Sequence, residues 1–169
     1  MEEIENYLHS LYQMMEEEIA DYHLLIRELE QESKYLRQNT LEALMKSVQT
    51  IEIQTNEILK MNESIQQTIE KILIDLGEKE REKTLSSLIV VLPSLEHQKI
   101  KFYQGTLKRL KEWVAQVNAR NKSFIQESLK CWKDLFSMLT HSTMEWPVYV
   151  QNGGEKIPTP PPYSLNQKV

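Results

Sequence analysis

No proline occurs before Pro93, and the chain of 169 residues holds only 4 glycines. These residue types interrupt helices and supply turns, so their scarcity describes a chain with few programmed turns and favours long helices. Cys131 is the single cysteine, which excludes an internal disulfide and leaves a thiolate zinc site one ligand at most. There is no stretch of about 18 uninterrupted apolar residues, and the start Met1-Glu2-Glu3-Ile4-Glu5 is acidic where a signal peptide is basic. The expectation is a cytoplasmic protein without membrane insertion. Lysine and arginine total 20 against 25 acidic residues, and a net charge of −5 argues against nucleic acid as the main partner, because phosphate binding needs a basic surplus. The length suits one domain, not two enzyme domains.

What is present is helical periodicity. Ile4, Leu8, Leu11, Met15, Ile19, Tyr22, Ile26, Leu29 and Leu36 form a first apolar stripe with steps of mainly three or four residues. A second runs at heptad spacing through Leu41, Leu44, Val48, Ile51, Thr55, Ile58, Asn62, Ile65, Ile69, Ile72 and Leu76. Asn39 and Glu42 suggest a capping box at its start, and Gly77 suits a left-handed cap at its end. Thr84 to Leu92 reads as a short apolar helix stopped by Pro93. The longest stripe follows, through Leu95, Lys99, Phe102, Thr106, Leu110, Trp113, Val117, Asn121, Phe124, Ser128, Cys131 or Trp132, Leu135 and Met138. A helix of that span is on the order of 70 Å long and must pack against others.

The fold class expected is all-α: an elongated antiparallel helical bundle over residues 1–140, with coiled-coil-like long helices near 2–36, 40–76, 84–92 and 94–140. Five of the 6 prolines fall between Pro147 and Pro162, so residues 141–169 read as a flexible, Pro-rich, disordered C-terminal tail. Residues 1–32 carry ten acidic groups against Arg27 alone, whereas residues 99–133 carry nine basic groups against Glu112 and Glu127. Pairing of these first and last helices accounts for the charge better than nucleic acid does.

Catalytic chemistry finds no foothold. A di-metal carboxylate centre needs Glu-x-x-His, but Asn6, Ala20, Ser94 and Met138 stand three residues before His9, His23, His97 and His141. Cys131 has no nearby histidine and reads as a small buried side chain. Gly153-Gly154 lacks the lysine and helix of a phosphate loop. No enzyme, no metal and no cofactor is expected. Pro160-Pro161-Pro162-Tyr163 matches a WW-domain ligand, although a solvated tail end is the preferred reading of so short a match.

Asn118-Ala119-Arg120-Asn121 is followed by the apolar pairs Phe124-Ile125, Leu135-Phe136 and Met138-Leu139, by Ser128-Leu129, and then by Tyr149 and Gly153. This resembles the FlgN family of export chaperones, in which Asn-x-x-Asn precedes paired apolar residues on the last helix and a short Tyr-Gly-x-x-Gly tail. Val150 stands where that family often has glycine. The resemblance implies a cytoplasmic export chaperone whose clients are the flagellar hook-filament junction (hook-associated) proteins, and docking with the flagellar type III export gate. The candidate partner-binding residues are Asn118, Asn121, Phe124, Ile125, Leu129, Trp132, Leu135, Phe136, Leu139, Trp146, Val148 and Tyr149.

Two adjacent apolar positions per turn exceed what one intramolecular face requires, and that surplus suits helix-in-groove recognition. Burial on two sides within a bundle is the competing reading for Phe124, Leu129 and Trp132. Asn121 lies on the stripe itself, where a polar residue first suggests fixing of helix register and second a client contact. A monomer or weak homo-oligomer is expected for the free chain. The alternative function is a structural coiled-coil adaptor that forms a permanent oligomer.

Overall fold

The computed structural model describes the backbone of residues 2–141 and the side chains of residues 3–139. Four helices follow one another, α1 (Glu2–Gln38), α2 (Leu41–Asp75), α3 (Leu85–Val91) and α4 (Ser94–His141), with no strand among the described residues. The all-α architecture expected from the apolar stripes is the one observed. Residues 1–126 form one compact unit and the chain from residue 127 a second. Trp146, Val148, Tyr149 and the Pro160–Tyr163 motif lie outside the described residues.

Short-range chemistry explains each boundary in the first unit. Asn39 ends α1 in the left-handed region (φ 54°), which asparagine tolerates better than most residues. Thr40, not Asn39, precedes α2 and makes no side-chain cap. The expected capping box therefore does not form, because the Asn39 backbone is committed to closing α1. Gly77 takes φ 81° as expected. Its N–H donates to the Ile74 carbonyl at 3.0 Å while the Glu78 N–H reaches Leu73 at 2.9 Å, the pair of bonds of a Schellman cap. Thr84 caps α3 by accepting from the Ser87 N–H at 3.2 Å. Leu92 is extended before Pro93, as the proline ring demands of its predecessor.

Contacts along the helices fix their directions. Lys71 of α2 lies over the Tyr7 ring at 5.9 Å, and Ser47 donates to the Glu28 carbonyl at 3.4 Å, so α1 and α2 are antiparallel. Tyr103 of α4 donates to Glu16 at 2.5 Å and Asn121 to the Leu29 carbonyl at 2.9 Å, so α4 runs parallel to α1. The acidic first helix and the basic last helix are neighbours, as their charges suggest. Leu11 and Met15 of α1, Ile72 and Leu73 of α2, Leu88 of α3 and Ile100 of α4 are fully buried in one core. Truncating any of them to alanine is expected to cost about 2–5 kcal/mol.

The burial pattern corrects two of the stripes and the cysteine. In α2 the line Leu41, Val48, Thr55, Asn62, Ile69 starts outside the core and ends inside it: Leu41 is 67% exposed, Val48 46% and Ile69 2%. A seven-residue repeat on a helix of 3.6 residues per turn rotates by about 20° per heptad, which turns this line inward step by step. Ser47 is buried in place of Val48. In α4 the inward line is Ile100, Tyr103, Leu107, Leu110, Val114, Val117 and Asn121, all buried or half-buried, whereas Leu95, Phe102 and Trp113 are exposed. Steps of three and four can follow either of two adjoining apolar tracks there; packing on α1 and α2 selects Ile100, Tyr103, Leu107 and Val114 from the other one, while Leu110, Val117 and Asn121 of the expected stripe do face inward. Cys131 is exposed, contrary to the buried position expected, because it shares the track of Phe124 and Met138.

Candidate functional site

The last part of α4 is a helix because nothing in it stops one: from Thr106 to His141 there is neither glycine nor proline. Ile125, Leu129, Trp132, Phe136 and Leu139 follow at steps of four and three, and Phe124, Ser128, Cys131, Leu135 and Met138 follow one residue earlier at the same steps. Adjacent residues on a helix are about 100° apart, so the two lines form one wide apolar face. All of these residues are exposed except the half-buried Ser128, and Trp132 is 71% exposed. Leu129, Trp132 and Phe136 flank a concave strip that Lys133 and Ser137 complete.

The two asparagines are placed differently. Asn121 is buried, and its amide donates to the Leu29 carbonyl at 2.9 Å and to Glu32 at 2.8 Å, while its oxygen accepts from Ser33. These bonds tie one position of α4 to one turn of α1, which is the register role. Arg120 adds a bond to Ser33 at 3.3 Å. Asn118 is exposed and lies on a groove between α2 and α4. Leu129, Trp132, Leu135, Phe136 and Leu139 lie on the part of α4 that belongs to the second unit, whereas Phe124 and Ile125 are exposed in the first unit and Asn121 is buried there.

Two polar clusters escaped sequence reasoning. Glu18 is 1% exposed, with Lys111 Nζ 3.4 Å from its Oε1. Burial pushes its carboxyl above the ordinary value of 4.5, while Lys111 pulls the other way. Lys111 also reaches Asn62 Oδ1 at 3.5 Å and lies over the Tyr22 ring at 5.7 Å, so one lysine touches all three long helices. The second cluster stacks Tyr12 on Tyr103 at 5.7 Å, with Lys99 over the Tyr12 ring at 3.7 Å and Tyr12 bonded to Glu96. Burial and Glu16 push the Tyr103 hydroxyl up to about 12. Polar residues on an apolar stripe, such as Glu18 one residue before Ile19, were the available signal; their partners were not.

Among the described residues no group of three or more His, Cys, Asp or Glu could hold a metal ion, and no helix is long and apolar enough to cross a membrane. Fold and exposed face together define a coiled-coil-like helical bundle protein with an exposed apolar helix segment. The chain belongs to the FlgN family: the family model described as FlgN protein matches residues 1–156. This is a family of flagellar export chaperones, which bind flagellar proteins and are not enzymes. Comparison with curated proteins and with solved structures returned no match.

Proposed function

We propose that this protein is a cytoplasmic chaperone of hook-associated, hook-filament junction proteins, which covers their helical ends, prevents premature association and delivers them to the flagellar type III export gate. The observation that carries the reading is the wide apolar face of α4 from Phe124 to Leu139 in a chain of a chaperone family. An unassembled helical segment exposes an apolar stripe, and two parallel stripes on α4 offer anchors at i, i+3, i+4 and i+7 to receive it. The tail residues Trp146, Val148 and Tyr149 belong to the same proposed surface, on the client side or the gate side.

The test is calorimetric titration of a purified junction protein into the full chain and into Leu129→Ala, Trp132→Ala, Phe136→Ala and Tyr149→Ala, each checked for its melting temperature. Truncating an anchor at a buried interface is expected to weaken binding by about 2 kcal/mol, roughly thirtyfold. Folded variants that all bind like the parent would move the client surface elsewhere. The heptad spacing of Ile125, Leu129, Trp132, Phe136 and Leu139 also suits a permanent coiled-coil oligomer, which would make the protein a structural adaptor. A monomer that turns one-to-one with client supports the chaperone; an obligate oligomer indifferent to client supports the adaptor.

A further inference from the structure

The groove between α2 and α4 is used differently along its length. At one end α3 fills it: Leu88 and Leu92 are buried in the core that includes Ile72 and Ile100, and Ser86 accepts from the Gln104 amide at 2.8 Å. From Leu85, the first residue of α3, a concavity follows α4 past Leu107 to Ala115. A separate open groove of about 300 Å³ is floored by Leu25 and Leu29 of α1 and walled by Val48 and Leu59 of α2 and by Val114 and Asn118 of α4. Leu59 is 56% exposed. The wall is longer than the groove, because Leu41, Met45, Val48, Thr55 and Leu59, all exposed, share one face of α2 at steps of four, three and seven.

We propose that this groove is a second partner-binding site, which takes a helix of about 18 residues, some 27 Å, laid along the exposed face of α2. The chain's own α3 is the template for the occupant. It presents Leu85, Leu88 and Leu92 at i, i+3 and i+7 to the groove and leaves Ser86 and Val90 outside. The partner helix therefore carries aliphatic residues at that spacing. Glu52 lies on the same face of α2 between Val48 and Thr55, so a basic residue stands opposite it at the middle of the helix. The inference rests on the chaperone reading only for the class of partner, a protein helix. It uses residues of residues 1–126 alone, so the two can fail separately.

Methyl-resolved NMR of the full chain tests it, with a synthetic 18-residue helical peptide as probe, bearing leucines on one face at i, i+3 or i+4 and i+7 and lysine at its centre. The expected result is that the methyls of Val48, Ile51, Leu59 and Val114 shift on titration, and that Leu59→Glu, an exposed position that leaves helicity unchanged, raises the Kd at least tenfold. Glu52→Lys should weaken binding at low salt and matter less at high salt. Absence of any shift at millimolar peptide, shifts confined to Leu129 and Leu139, or parent-like affinity in both Leu59→Glu and Val48→Glu would each overturn the proposal. Groove methyls that respond to protein concentration without peptide would assign the groove to a second copy. A response seen only in full-length Trp146→Ala/Tyr149→Ala would assign it to the chain's own C-terminal segment, and either outcome overturns the proposal too. Loss of junction-protein binding in Trp132→Ala with peptide binding unchanged separates this site from the α4 face.

Discussion

Removing Lys111 exposes how the buried carboxylate is tolerated. Glu18 is 1% exposed, and its nearest cation is Lys111 Nζ at 3.4 Å, a distance at which charge compensates but no well-aligned hydrogen bond forms. Breaking a fully buried pair by deleting one partner costs about 3–5 kcal/mol. The lysine side chain is 47% exposed, so water screens part of the interaction and about 2–3 kcal/mol is the expected loss for Lys111→Met at neutral pH. Burial already holds the Glu18 carboxyl above 4.5, and losing Lys111 raises it further. Between the unfolded and folded pKa values the native state then binds more protons than the unfolded state, so stability falls as pH rises through that window. The variant should accordingly lose less stability at pH 5 than at pH 7.5, and Glu18→Gln in the same background should recover most of the loss at the higher pH. Urea unfolding followed by circular dichroism at both pH values measures this. An equal loss at the two pH values, or a loss below about 0.5 kcal/mol, would refute the coupling of Glu18 to Lys111.

Other outcomes follow from the same contacts. Asn121→Leu leaves the Leu29 carbonyl and Ser33 without their partner and should cost about 1–3 kcal/mol in denaturant unfolding, whereas exposed Asn118→Leu should stay within about 0.5 kcal/mol. Gly77→Ala has open space around its new methyl but is strained at φ +81°, and should lower stability by about 1–2 kcal/mol in the same assay. Reversing Lys108 and Arg109 to glutamate should change the melting temperature little at any salt concentration, since both are exposed and Arg109 bonds within α4 to Thr106; a large loss at low salt would place more of the α1–α4 attraction there. Stability should fall from about pH 10 as unfolded tyrosines ionise while native Tyr103 keeps its proton to about 12, and Tyr103→Phe should flatten that alkaline slope in a pH series of unfolding curves.

Much of the fold was legible because helix punctuation is local. The scarcity of glycine and proline, Gly77 at the end of α2 and Pro93 between α3 and α4 act within a few residues of backbone, and the structure uses each as read. The same locality explains the miss at Asn39, whose side chain suits a cap but whose backbone was needed to close the helix before it. The candidate face on α4 was legible for the same reason as the helices, as two parallel lines at helical spacing.

Which lines face inward was a different matter. On α2 a regular heptad was visible, yet its rotation against a helix of 3.6 residues per turn leaves Leu41 and Val48 outside and brings Ile69 in, and only the position of the neighbouring helices sets where that crossing falls. On α4 two tracks were open, and packing chose Ile100, Tyr103 and Leu107 over Leu95, Phe102 and Trp113. Sequence alone determined that this chain is helical, that its first and last long helices carry opposite charge, and that it bears the FlgN pattern near Asn118 and Asn121. Tertiary structure decided that Lys111 meets Glu18, that Asn121 locks α4 to α1, and that α3 fills only part of the α2–α4 groove. The first two contacts join residues about 90 positions apart, and pairings at such separation depend on helix direction and register, which no local periodicity encodes.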